Sequence, residues 1–266
     1  MTGPRLAGKR VVITGALGGI GTSTRSALAA EGAEVLGIDL VAAEDVVAAD
    51  VTDRDAVRDA MSACVERLGG IDVLVNNAGI GRAQDSGAFP DEDSRAVMDV
   101  NFFGSWNATA AALPNLLDTR GHVVNVASGL AVVDLPFAAA YSASKRALAA
   151  YSAALRIEYR GRLSVTTVYP GYIRTAIHES SKAAGATLEG LVRADTVEGA
   201  AAAIVRACVR KPKAVTTSRL SAVELWAARR FPKATEATIA RRVTRWKKRH
   251  PVPAFVRYPD RTAWGG

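Results

Sequence analysis

Short apolar runs rich in β-branched residues alternate with longer stretches of helical period along the first 220 positions. Arg10–Thr14, Ala33–Asp39, Asp72–Asn76, His122–Val126 and Leu163–Tyr169 read as strands, with a last strand over Ala214–Thr217. Between them, Ile20–Glu31, Arg54–Leu68, Asp93–Leu117 and Ala139–Tyr159 place their apolar residues at helical spacing. The strand runs do not alternate strictly between apolar and polar positions, as expected of strands buried on both faces. That pattern predicts an α/β fold, a doubly wound parallel sheet flanked by helices on both faces. Gly121, Gly161 and Gly171 fall at element ends. One domain over residues 1–220 follows, with residues 221–266 as an extension.

Composition narrows the setting. Of 266 residues, 49% are hydrophobic and 23% charged, which suits a soluble globular chain long enough to bury its own core. Cys64 and Cys208 are too few for a disulfide framework and fall in predicted helices, where buried thiols are inert. His122, His178 and His250 are scattered, so no metal site is expected, and His178 reads as a solvent-facing loop residue. No apolar run approaches the roughly 18 residues of a membrane span, and no signal-peptide core precedes Arg10, so a cytoplasmic protein is expected. The formal charge of +8 is concentrated. Residues 204–250 hold 14 Lys and Arg against Glu224 and Glu236, a net +12, whereas residues 1–203 are net −5. A nucleic-acid binder would spread its basicity differently, and no nucleic-acid reading motif accompanies the charge.

The turn after the first strand carries candidate chemistry. Thr14-Gly15-Ala16-Leu17-Gly18-Gly19-Ile20-Gly21 joins strand to helix. Glycines there let the backbone approach a pyrophosphate, and the helix N-terminus offers N–H groups and the positive end of its dipole. Asp39 ends the second strand 18 residues after Gly21. That is close to the offset at which an acid accepts hydrogen bonds from the adenosine ribose of a dinucleotide. Its charge favours NAD and repels the 2′-phosphate of NADP, and neither Leu17 nor Leu40 supplies a compensating cation.

Tyr141 and Lys145 stand at i and i+4, one above the other on a predicted helix. An ammonium beside a phenol lowers the phenol pKa, so Tyr141 is a candidate acid/base. Ser128 follows the fourth strand, where a hydroxyl could hold a carbonyl oxygen.

Taken in order, Thr14-Gly15, Gly19, Gly21, Asp50, Asn76-Asn77-Ala78-Gly79, Asn101, Ser128, Tyr141-x-x-x-Lys145 and Pro170-Gly171 resemble the short-chain dehydrogenase/reductase family, of the one-domain kind with a TGxxxGxG turn. The resemblance covers about residues 5–218 and implies a Rossmann-like fold and reversible hydride transfer between a nicotinamide and an alcohol/carbonyl pair. It assigns Tyr141 as general acid/base and Lys145 as the group that tunes Tyr141 and holds the nicotinamide ribose. Ser128 would bind the substrate oxygen, and Asn101 would fix a water in a proton relay. Thr14, Gly15, Gly19, Ile20 and Gly21 would cradle the cofactor, and Asp39, Asp50 and Val51 would bind its adenosine half. Asn77, Ala78 and Gly79 would line the cleft, while Pro170, Gly171, Ile173 and Thr175 would cover the nicotinamide. Family members commonly pair through the helices carrying Asn101 and Tyr141, which implies a homodimer or homotetramer. Phe102, Phe103 and Trp106 then read as core or subunit contact.

Two stretches should set substrate choice: the apolar Gly129–Phe137, and a loop over about 172–195. The first predicts a small-molecule alcohol or carbonyl substrate of lipophilic, lipid-, retinoid-, steroid- or terpenoid-like character. In the extension, Ile239, Val243 and Trp246 form one helical stripe with Arg241, Arg242, Arg245, Lys248 and Arg249 largely elsewhere, and Val223 with Trp226 forms a shorter one. This basic amphipathic tail either packs over the cleft or a subunit, or lies peripherally on an anionic membrane. A dinucleotide-binding sensor or membrane-associated scaffold on the same fold is the alternative to an enzyme.

Overall fold

In the computed structural model, which describes residues 3–173, 183, 185–186, 194–250 and 252–256, the first apolar run is strand β1 (Arg10–Thr14). It leads into α1 (Gly19–Ala30), β2 (Glu34–Asp39), β3 (Val46–Ala48), α2 (Arg54–Leu68) and β4 (Val73–Asn76). Next come α3 (Glu92–Met98), a π-helical turn (Asp99–Gly104), α4 (Ser105–Asp118), β5 (His122–Val126), α5 (Ala139–Glu158) and β6 (Ser164–Tyr169). The short strands β7 (Tyr172–Ile173) and β8 (Ala194–Asp195) precede α6 (Val197–Arg210) and β9 (Ala214–Thr216). Two further helices, α7 (Arg219–Arg230) and α8 (Pro232–Lys247), follow.

The main sheet has seven parallel strands in the order β3-β2-β1-β4-β5-β6-β9, a single Rossmann-like domain. Strand order reverses between β1 and β4, which opens a crevice at their C-terminal ends where ligands of such sheets bind. Successive side chains point to opposite faces of the sheet, so each apolar strand feeds two cores. Val12, Leu36, Leu74 and Val123 pack with Met61 and Cys64 of α2 and Ala112 and Leu116 of α4. Val11, Ile13, Val75 and Val124 pack with Leu28 of α1 and Ile204 and Cys208 of α6. Burial pushes the Cys64 thiol up to about 11 and that of Cys208 up to about 12, so both stay protonated core side chains.

Helix ends follow local chemistry. The Asp53 carboxylate accepts from the N–H groups of Asp55 and Ala56 to start α2, and Gly69, in the left-handed region, ends it. Ser218 starts α7 by accepting from Ser221 N–H, and Pro232 opens α8 at its first turn.

Several features differ from the sequence expectation. Strand β3 has no counterpart there: it is three residues long and is set by a left-handed Asp45 (φ 55°) whose carbonyl accepts from Gly37 N–H at 2.7 Å. The helix expected over 93–117 is interrupted by the π turn at Asp99–Gly104. Among the described residues, the extension carries two helices that meet at Phe231-Pro232.

Candidate active site

Two glycines make the cradle after β1. Gly15 adopts φ +64°, and a Cβ there would lie 2.7 Å from Ala78 Cα, so the turn closes against the loop after β4. At Gly21 a Cβ would lie 2.0 Å from the Gly15 carbonyl oxygen. Thr14 Oγ1 accepts from the N–H groups of Asn77 and Ala78 at 3.1 Å each, and Asn77 Nδ2 donates to the carbonyls of Thr14 and Gly15. Gly18 and Gly19 face solvent and no side chain caps α1, so the first N–H groups of the helix are open to solvent. Ile20 anchors this end in the core.

Asp39 is fixed at the tip of β2. One carboxylate oxygen accepts from Leu17 N–H and the other from Leu40 N–H, both at 2.8 Å. The cradle and the acid are therefore one unit, and the outer lone pairs of Asp39 remain for hydroxyl donors. Asp50 accepts from Thr52 N–H and Oγ1, while buried Val51 packs at Gly104 and its carbonyl accepts from Asn107 Nδ2. An open helix end, a close-approach cradle and a pre-oriented carboxylate suit a dinucleotide in both shape and donor set.

Asn101 lies in the π turn, a feature often met at functional sites. Its Oδ1 accepts from Ile80 N–H at 2.8 Å, and its Nδ2 donates to Ile80 O and Ser144 Oγ at 3.0 Å each. Ser144 Oγ in turn donates to the Tyr141 carbonyl at 2.8 Å. Asn101 thus latches the loop after β4 to the first turn of α5. Nothing in the residue types around Ser144 marks this bridging role.

Lys145 is buried, and its ammonium donates to Val126 O at 3.0 Å and lies 5.8 Å from the centre of the Tyr141 ring. A Cβ on Gly79 would come within 3.3 Å of Lys145 Nζ, so the Asn77-Ala78-Gly79 loop passes beside it. Burial lowers the Lys145 pKa from 10.5 to about 8. Tyr141 moves the other way. Burial lifts its phenol above the ordinary value, and the hydrogen-bonding Ser128 hydroxyl only partly offsets this. The sequence expectation of a phenol lowered by Lys145 is corrected here: desolvation dominates and the ammonium is directed at Val126.

The Lys145 shift has a thermodynamic signature. The unfolded chain holds this proton up to about pH 10.5, whereas the folded chain releases it near 8, so the folded state gains stability between those values. Relative to Lys145→Met, the wild type should gain about 3 kcal/mol as pH rises from 8 to 10.5, at 1.36 kcal/mol per pKa unit. Urea denaturation of both chains at the two pH values measures it; a pH-independent difference would refute the shift.

Ser128 follows β5 in extended conformation, with Oγ accepting from Leu130 N–H at 3.2 Å. The neighbouring Gly129 N–H donates to Pro170 O at 2.8 Å and so joins the loops after β5 and β6. Gly171 N–H donates to Asp195 Oδ2 at 2.9 Å, and Thr217 Oγ1 donates to the same oxygen. Asp195 therefore pins the Pro170-Gly171 turn, a role that a lone acid in an aperiodic stretch does not reveal. Buried Ile173 pairs with Asp195 in register. Thr175 and His178 lie outside the described residues, as does most of the 172–195 loop.

Ser128 and Tyr141 open onto a cavity of about 510 Å³. Its near wall includes Leu130, Val133, Leu135 and Tyr169, and its far wall is built by α7 and α8 through Leu225, Ala228, Phe231 and Ile239. Leu225 packs with Ala127, Ala131 and Tyr169, while Val243 and Trp246 pack with Phe137. The Ile239, Val243 and Trp246 stripe thus faces the protein.

Residues 9–185 match the family model of short chain dehydrogenases. The chain is 36% identical over 192 residues to the 3-oxoacyl-[acyl-carrier-protein] reductase of Thermotoga maritima, covering 66% of this chain and 78% of that protein. It is 33% identical over 217 residues to dehydrogenase/reductase SDR family member 7B of Mus musculus, covering 73% of this chain and about two thirds (67%) of that protein. A solved short chain dehydrogenase from Burkholderia cenocepacia, in complex with NADP, superposes with a TM-score of 0.74 at 31% identity, over 89% of this chain and 98% of that one. With a match running from β1 through β7 at this level of identity, the chain belongs to the short chain dehydrogenase family.

Proposed function

We propose that the chain moves a hydride reversibly between NAD and a lipophilic secondary alcohol or its ketone. The observation that carries this reading is the cavity. Ser128 and Tyr141 supply its reactive hydroxyls, and the walls around them are mostly aliphatic and aromatic. A bound dinucleotide would supply the hydride acceptor. During oxidation the phenolate form of Tyr141 takes the alcohol proton while Ser128 hydrogen-bonds the same oxygen, and the carbinol hydride would pass to that acceptor. Lys145 supplies positive charge beneath Tyr141, and Asn101 holds the β4 loop and α5 in register for both. The exposed aromatic rings of Phe103 and Trp106, the latter stacked on Tyr151, support self-association.

NADH formation from NAD across alcohols graded from short chains to terpenoid and steroid alcohols tests the reading. Rates confined to bulky apolar alcohols are expected, and equal rates across the panel would overturn it.

Asp39 supports the choice of NAD although a structural relative carries NADP. Its fixed carboxylate favours two ribose hydroxyls over a 2′-phosphate. Asp39→Ala should lower kcat/KM for NAD about tenfold to a hundredfold, the value of one charged hydrogen bond. Steady-state kinetics with each dinucleotide measure this, and wild-type preference for NADP would refute it.

A further inference from the structure

Helix α7 has two faces of different character. Ser221, Leu225 and Ala228 turn towards the cavity. On the opposite side, at i, i+4, i+7 and i+11, stand Arg219, Val223, Trp226 and Arg230, an apolar pair bracketed by two cations. Val223 is 59% and Trp226 62% exposed, and exposed Leu220 flanks them. The stripe continues into Phe231, whose ring meets Trp226 edge to face at 6.2 Å and lies 5.3 Å under the Arg230 guanidinium. Phe231 is itself 51% exposed and also lines the cavity, as do exposed Ala234 and Thr238. The outer patch therefore runs without a break into the opening between α7 and α8. Helix α8 differs: its own apolar stripe is spent on the cavity and on Phe137.

We propose that the outer face of α7 and the Phe231 corner dock on an anionic lipid bilayer surface, with the opening of the cavity held against the membrane. Charge complementarity selects this occupant. Between Arg219 and Arg249 the chain carries ten Lys and Arg against Glu224 and Glu236. Arginines at both ends of an apolar stripe reach lipid phosphates while Val223, Trp226 and Leu220 enter the headgroup boundary. A tryptophan with one polar edge suits that depth. Among the described residues no helix is long and apolar enough to cross a membrane, and the docking proposed is parallel to the surface. Substrate entry from the bilayer rests on the lipophilic reading above; the docking itself does not.

Full-length protein would be sedimented with vesicles of phosphatidylcholine alone and of phosphatidylcholine mixed with phosphatidylserine. Pelleting with the mixed vesicles only, reversed by high salt, is expected. The pair Val223→Ser and Trp226→Ser should cut the vesicle partition coefficient about tenfold, since two partly inserted apolar side chains are removed. The pair Arg219→Gln and Arg230→Gln should cut it by about fivefold per charge. Neither pair should alter NADH binding in solution, followed by its fluorescence. Wild-type protein that ignores both vesicles overturns the docking. So does a fall in solution mass on Trp226→Ser, measured by light scattering, because the patch would then join copies of the chain. Binding without a preference for bulky alcohols sustains the docking and removes the lipophilic-substrate reading alone.

Discussion

Tyr141→Phe should lower kcat/KM for alcohol oxidation by about 10²–10⁴-fold, the usual contribution of a positioned acid/base. NADH binding, followed by its fluorescence, should stay within a few-fold. The substitution keeps the ring that packs in the first turn of α5 and deletes only the hydroxyl that faces the cavity beside Ser128. Ser144 and Asn101 hold the backbone of Tyr141 through its carbonyl, so the variant retains the geometry of its neighbours. Because burial raises the phenol pKa, little phenolate is present at neutral pH, and wild-type oxidation should accelerate as pH rises. The phenylalanine variant should lose that acceleration. Residual activity within about tenfold of wild type, with the pH profile unchanged, would show that another group moves the proton.

Gly21→Ala should be the most disruptive of the small substitutions in the cradle. The added methyl would meet the Gly15 carbonyl oxygen at 2.0 Å and the Ala16 backbone at 3.0 Å, and neither is the end of a flexible side chain that could step aside. Either α1 shifts from the sheet or the turn opens, at a cost of about 3 kcal/mol or more. For a chain of this size that is roughly a 10 °C loss in Tm. Gly18→Ala is the matched control, because its methyl would find only the Gly15 oxygen, at 3.6 Å. Calorimetry on the two chains should show a large drop for the first and almost none for the second. Equal melting temperatures would mean that the cradle is more pliant than its packing implies.

The parts of the fold legible in the sequence are those with a strong local signal. Strands β1, β2, β4, β5 and β6 are short runs rich in β-branched and apolar residues, and the order of glycines, Asn101, Ser128 and the Tyr141–Lys145 pair is written along the chain. What was illegible depends on contacts between distant segments. Strand β3 exists because Asp45 turns the chain beside Gly37, and three residues cannot carry a period. Every residue from Asp99 to Gly104 is compatible with an ordinary helix, so the π turn leaves no mark in composition. Asp195 gains its role from Gly171 and Thr217, 24 and 22 positions away. The direction of the Tyr141 shift is illegible for a related reason: spacing gives the nearness of Lys145 but not the depth to which the phenol is buried. The tail's stripe was legible as amphipathic, yet only packing reveals that Ile239 and Trp246 turn inward while Trp226 turns outward.

The division of labour around the cavity bears on how such a chain can diverge. The groups proposed to hold and move protons lie at the end of β5 and on α5, whereas much of the opposite wall comes from helices that begin after Ser218, beyond the last strand of the sheet. Substitutions in Leu225, Ala228, Phe231 or Ile239 alter the shape offered to a substrate without touching a ladder hydrogen bond or the cradle at Gly15. New specificities are therefore reachable by drift or by exchange of one terminal cassette, with the redox machinery inherited whole.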